Sequence, residues 1–269
     1  MRAWAAGLAS ALLLAVLPAA PAAADDEGHS ALVGGVLAGA ADREPLAGRV
    51  VVLDAGHQLG NARFPRQTSR LVPAGGFRKP CNTTGTATNG GVPEATIVWQ
   101  VTRLLQRRLE RMGARVVLTR TSNSARRWGP CVDARGRAGN RLPSGGAADL
   151  KLSIHADGSY ARGARGFHVI VPPARRPWTH DIARPSLHLA RDVRGSLRRA
   201  GLRPATYVAR GTGIDVRSDL ATLNLSDVPT ALVELGNLRD RGDARRLTSR
   251  AGQARHAAAL ARAVRLHLR

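Results

Sequence analysis

The chain has 269 residues, a net charge of +22, and 43% hydrophobic but only 3% aromatic residues. That length suits one large domain or two small ones, and the charge draws the protein toward anionic polymers. Scarce aromatics and the lack of a recognition motif argue against nucleic acid as the partner.

Met1-Arg2, the apolar run Ala11–Leu17 and the small residues Ala22-Ala23-Ala24 have the form of a signal peptide cleaved before Asp25. The apolar run is too short to span a bilayer, and no later stretch is long enough. The expected organisation is a signal peptide over 1–24, a mobile lead-in over 25–45 without steady periodicity, and one domain over 46–269. All but two of the 41 basic residues are arginine, a bias that reads partly as codon composition.

Val50-Val51-Val52-Leu53 is a strand of the kind buried on both faces of a parallel sheet. It breaks at Asp54-Ala55-Gly56 and presents His57 just beyond its carboxyl end, where open α/β sheets bind ligands. Residues 58–92 are rich in Gly, Thr, Asn, Pro and Arg; an insertion of that size is usually a lid or binding loop, and it is expected to contain a hairpin bordering the crevice. Pro93 and Glu94 open a helix whose apolar face carries Ile97, Val98, Val101, Leu104, Leu105, Leu109 and Met112, and Gly113 closes it.

A second strand is expected over 114–119, a short helix over 132–140, and a third strand over 150–154 leading into His155. A fourth follows over 166–171, stopped by Pro172-Pro173. Leu187, Ala190, Val193 and Leu197 mark another helix, Thr230–Val233 a strand leading into Glu234, and Ala257–Leu268 a terminal helix. Such alternation predicts a single three-layer α/β domain with a mostly parallel, mixed sheet of about six strands flanked by helices.

Cys81 and Cys131 are an even pair in a chain read as exported, which favours a disulfide between the long loop and Gly129-Pro130-Cys131; two unpaired buried thiols are the alternative. Three strands pointing the same way would bring His57, His155 and Glu234 to one crevice, beside Glu94. Each alone has an ordinary explanation. His57 could sit on a surface loop, Glu94 suits a first helical turn, and Glu234 could pair with an arginine. Together, two histidines and a glutamate form a common zinc set with a position open for water, and a second glutamate can serve as base.

Leu53-Asp54-Ala55-Gly56-His57, Pro93-Glu94, Ser153-Ile154-His155-Ala156-Asp157 and Pro229–Asn237 resemble, in order and spacing, the zinc-dependent N-acetylmuramoyl-L-alanine amidases of bacterial walls. The resemblance spans about 48–268 and looks closest to small secreted actinobacterial members with a cysteine pair and no separate wall-binding domain. It implies one Zn²⁺ held by His57, Glu94 and His155, with Glu234 as the catalytic glutamate. Asp157 and Asn224 are further candidates for contact with substrate or support behind the ligands, loop capping being the plainer role. Ala55 and Gln58-Leu59 stand where many members have proline and a glycine pair, and Asn237 where many have phenylalanine.

The resemblance also implies a muropeptide or peptidoglycan substrate, while the export signal places the chain in the wall or periplasmic space and the positive charge makes anionic wall polymers and lipid headgroups its expected partners. A monomer is expected. The competing readings are a zinc peptidase acting within wall stem peptides and a non-catalytic wall-binding protein.

Overall fold

In the computed structural model, which describes residues 44–269, the first apolar run forms β1 (Val50–Ala55). The expected signal peptide, and the lead-in up to residue 43, lie outside the described residues. After β1 the loop carries a 3₁₀ turn at Asn61–Arg63, a short helix α1 (Pro65–Ser69) and an antiparallel hairpin of β2 (Leu71–Pro73) and β3 (Arg78–Pro80). Next come α2 (Glu94–Glu110), β4 (Arg115–Leu118), α3 (Val132–Arg137), β5 (Leu150–Asp157), β6 (His168–Val171), α4 (Ala183–Arg199), β7 (Ile214–Val216), α5 (Ala221–Asn224), β8 (Thr230–Asn237), α6 (Arg241–Thr248) and α7 (Arg250–His267).

The main sheet has six strands in the order β4-β1-β5-β8-β6-β7. β4, β1, β5 and β8 run parallel, β6 lies antiparallel to β8, and β7 is parallel to β6. This is the mixed, mostly parallel sheet expected from the sequence. Among the elements without a readable signal, β7 and α6 show why. β7 is too short to show alternation, and α6 is highly polar, its start set by Asp240, whose side chain accepts from the Asp243 amide.

The two faces of the sheet differ in chemistry because strand side chains alternate. Val51 and Leu53 of β1, Leu150, Leu152 and Ile154 of β5, and Ala231 and Val233 of β8 meet α2, α4 and α7 in one large apolar core. The opposite face holds only small apolar clusters and a buried polar network. There Asp54, fully buried, accepts from Ser153 Oγ (2.6 Å), Thr119 Oγ1 (2.6 Å) and Arg135 Nη1 (2.6 Å). Burial alone would push the Asp54 carboxyl up, but the Arg135 charge and the two hydroxyl donors hold it well below the usual carboxylate range. Lys151, also fully buried, donates to the carbonyls of Arg135 and Gly136 in α3, and burial pushes its ammonium down to about 7.

Cys81 and Cys131 form a disulfide across 50 residues, fixing the end of the β2–β3 hairpin to the start of α3. The Val132 amide donates to the Cys81 carbonyl (2.7 Å), reinforcing the junction.

Closing a loop of that length lowers the entropy of the unfolded chain enough to stabilise the fold by about 4 kcal/mol. The Cys81→Ser/Cys131→Ser protein is therefore expected to unfold at clearly lower urea, and unfolded, unreduced wild type to present no reactive thiol. Arg135→Met leaves a buried carboxylate without its cation and is expected to cost about 3–5 kcal/mol. Urea titration checks this, with Asp54→Asn/Arg135→Met losing less than the sum of the two single changes.

Candidate metal centre

Because β1, β5 and β8 are parallel neighbours, their carboxyl ends open onto one cleft. His57 lies just past β1 in a left-handed backbone conformation, φ 55°, which a side chain larger than glycine adopts only when its surroundings enforce it. Two arginines supply that enforcement. Arg135 donates to the carbonyls of Ala55 (2.7 Å) and His57 (2.6 Å), and Arg120 to those of Ala55 (3.0 Å), Gly56 (3.2 Å) and Ala95 (3.0 Å). Burial brings the Arg120 guanidinium down to about 9, and its side chain lies over the Trp99 ring.

Glu94, the first residue of α2, is 3% exposed. Its Oε2 accepts from the Thr86 amide (3.0 Å) and its Oε1 from the Ala156 amide (3.1 Å). Nε2 of His57 stands 3.2 Å from Oε2, and Nδ1 of His155 stands 3.1 Å from Oε1. The imidazole rings meet edge to face with centroids 4.9 Å apart. Burial opposes the charged form of Glu94, but the His57 charge and hydrogen bonds from both imidazoles outweigh it, so the carboxyl lies well below its usual range. For His57, burial likewise opposes charge, and Glu94 together with the Thr83 carbonyl reverses the balance and raises the imidazole.

The donor set fits a divalent cation. His57 Nδ1 is 3.0 Å from the Thr83 carbonyl, an acceptor that favours a proton on Nδ1, and Nε2 is aimed at Glu94 Oε2. A ring nitrogen and a carboxylate oxygen that close require a proton, as in the hydrogen bond above, or a cation between them. One ligand atom from each of His57, Glu94 and His155 lies within 4.8 Å of the others, and nitrogen and carboxylate oxygen are ordinary zinc donors. Close packing holds the group. A Cβ on Gly56 would lie 2.4 Å from the His155 ring, and one on Gly85 would meet Glu94 Oε2 at 2.7 Å and the His57 ring at 2.8 Å.

Glu234 stands in register with His155 on β8 and lines the same cleft, about 260 Å³ in volume, with His57, His155, Lys79, Arg217 and Leu232. Its Oε2 is buried without a hydrogen-bond partner. Burial, then the charges of Glu94 and Asp157, raise its carboxyl well above the ordinary value, with Arg217 opposing.

The structure thus brings together all four residues expected at the crevice, and neither of the two further candidates lines the cleft. Asp157 accepts from the Gly158 amide (2.6 Å) and the Tyr207 hydroxyl (2.7 Å). Asn224, 1% exposed, donates to the carbonyls of Ala74 and Ser218 (both 2.8 Å), tying the β2–β3 hairpin down. Both act as loop anchors in this geometry. Asn237 is buried and donates to the carbonyls of Ser159 (2.8 Å) and Ala164 (2.7 Å). Gln58 accepts from the Leu59 and Ser124 amides, cross-linking two loops. The supports absent from the expected set are Asp54, Thr83, Arg120 and Arg135. A charged residue inside the β1 run was the readable sign of the first; the arginines are masked by the number of others.

The comparisons agree with this geometry. The Amidase_3 family, described as N-acetylmuramoyl-L-alanine amidase, matches residues 51–265. The chain is 39% identical over 220 residues to N-acetylmuramoyl-L-alanine amidase Rv3717 of Mycobacterium tuberculosis, covering 81% of this chain and 86% of the relative. The apo form of the N-acetylmuramyl-L-alanine amidase Ami1 of Mycobacterium abscessus superposes with a TM-score of 0.75 at 40% identity, covering 83% of this chain and 100% of that one. Ami1 of Mycobacterium smegmatis gives 0.75 at 36%, covering 83% and 98%. On a match that takes in every strand of the main sheet together with the His57, Glu94, His155 and Glu234 cluster, the chain belongs to the Amidase_3 family of N-acetylmuramoyl-L-alanine amidases.

Proposed function

We propose that His57, Glu94 and His155 hold one Zn²⁺ and that Glu234 is the base of an amidase that cuts the bond between the lactyl group of N-acetylmuramic acid and L-alanine of the stem peptide. The observation that carries this reading is the set of three mutually close donors, two of them histidines, beside a cleft that the Glu234 carboxyl also lines.

Held by His57, Glu94 and His155, a zinc ion would supply Lewis acidity toward a water and the scissile carbonyl. The chain's residues supply the rest. The Thr83 carbonyl and the two arginine-held carbonyls keep His57 in one tautomer and one orientation. The Thr86 and Ala156 amides hold the Glu94 carboxylate in place. Glu234 takes the proton of the attacking water and passes it to the departing amine of L-alanine. Its apolar neighbour Leu232 and its burial favour the protonated form that this delivery needs. Lys79 and Arg217 line the cleft and share the Asp219 carboxylate (3.8 and 2.7 Å), leaving one net positive charge on that wall for a carboxylate of the stem peptide.

The chain is read as exported, with 1–24 removed and the basic surface meeting anionic wall polymers as a monomer; among the described residues no helix is long and apolar enough to cross a membrane. The rival, a zinc peptidase acting within the stem, shares the metal chemistry and differs only in product.

Product analysis separates them. Muropeptide digestion is expected to release intact stem peptide with a free L-alanine amino group, and peptides shortened within the stem would establish the rival. Chelation should abolish turnover, and added zinc restore it. Glu234→Ala is expected to retain one zinc per chain while losing turnover by about a thousandfold or more, the scale of removing a positioned acid–base group; His155→Ala should lose both. Metal analysis and rate measured on the same preparations check this, and an active Glu234→Ala protein would remove Glu234 from the mechanism.

A further inference from the structure

β8 has two neighbours, and the cleft chemistry uses only one of them. His155 stands in register with Glu234 from β5, and His168 stands in register with it from β6. Residues directly opposite in an antiparallel pair point to the same face, with Cβ atoms about 4.5–5.5 Å apart. The neighbouring pairs verify that face: Val169 and Val233 share the large core, while Ile170 and Leu232 share a cluster on the opposite side. His168 therefore shares the cleft face with Glu234, yet does not line the cleft; it sits behind the glutamate, 3% exposed.

Two buried polar atoms in this pair lack a hydrogen-bond partner, Glu234 Oε2 and His168 Nδ1. Leaving even one such atom unpaired is costly, and here they belong to directly paired residues. The imidazole is itself braced. It meets the Tyr207 ring edge to face at 6.0 Å and 87°, and the Tyr207 hydroxyl donates to Asp157 Oδ2 at 2.7 Å.

We infer that His168 is a positioning residue for Glu234: its Nδ1–H holds the inner oxygen of the glutamate, directly or through one buried water, so that the outer oxygen is aimed at the attacking water. The inference rests on Glu234 acting as the base. A carboxylate with one oxygen tied can rotate less, and the oxygen left free is the one that receives and returns the proton. His168 touches neither substrate nor metal. Tyr207 and Asp157 act one step further back, fixing the ring plane.

The test compares His168→Phe, which keeps a ring against Tyr207 but no donor, with His168→Asn, which puts an amide N–H near the position of Nδ1. Both are assayed as zinc-loaded full-length protein. His168→Phe is expected to lower kcat about 10- to 100-fold, the usual scale for losing a partner that orients a site group. KM, zinc content and thermal midpoint should stay near wild type, and His168→Asn should recover most of kcat. A His168→Phe kcat within twofold of wild type would overturn the inference, as would a kcat loss accompanied by a parallel loss of zinc or thermal stability.

A second measurement does not depend on that variant folding. In the zinc-loaded protein the ¹⁵N resonances of the His168 ring are expected to shift on Glu234→Gln, and unchanged resonances would overturn the inference. If Glu234→Ala loses turnover while His168→Phe keeps it, the role of Glu234 stands and only that of His168 falls.

Discussion

A carboxylate removed from water has to be surrounded by donors and cations, and Glu94 is the point at which this chain meets that demand. Two backbone amides and two imidazoles converge on its oxygens, and they come from three separate parts of the sequence. The long loop gives Thr86, the end of β1 gives His57, and β5 gives His155 and Ala156. None of these segments can shift without uncovering a buried charge. The requirement therefore fixes how the loop packs as much as it fixes any metal ligand.

Beneath the ligands the same demand is met a second time. Asp54 and Arg135 form a buried ion pair, and Arg135 also donates to the Ala55 and His57 carbonyls of the turn that presents His57. A buried pair of this kind adds little net stability compared with apolar packing. Its value here is geometric, since it holds His57 in a backbone conformation that the residue would otherwise leave. The sheet thereby divides its labour, one face packed as an apolar core and the other carrying polar supports for the site.

Much of this was legible in the sequence because strand runs that stop at a polar residue announce both an element and a site. His57, His155 and Glu234 each follow or end such a run, and Glu94 follows the proline that starts a helix, so the fold and the cleft residues could be read together. What could not be read was long-range pairing. Nothing in the residues around Thr83 says that its carbonyl meets an imidazole 26 positions away, and no local pattern distinguishes Arg120 and Arg135 from the many solvent-facing arginines. β7 and α6 escaped for a related reason: one is three residues long and the other is held by a cap and one buried leucine, Leu247.

The disulfide gives the cleft a dependence on its surroundings that His57, Glu94 and His155 alone would not have. Cys81 lies two residues before Thr83, so the covalent tie to Cys131 also restrains the carbonyl that faces His57 Nδ1. In a reducing compartment that strut is severed while the side chains of the cleft remain chemically intact. The wall of the cleft is thus braced most firmly where thiols are oxidised.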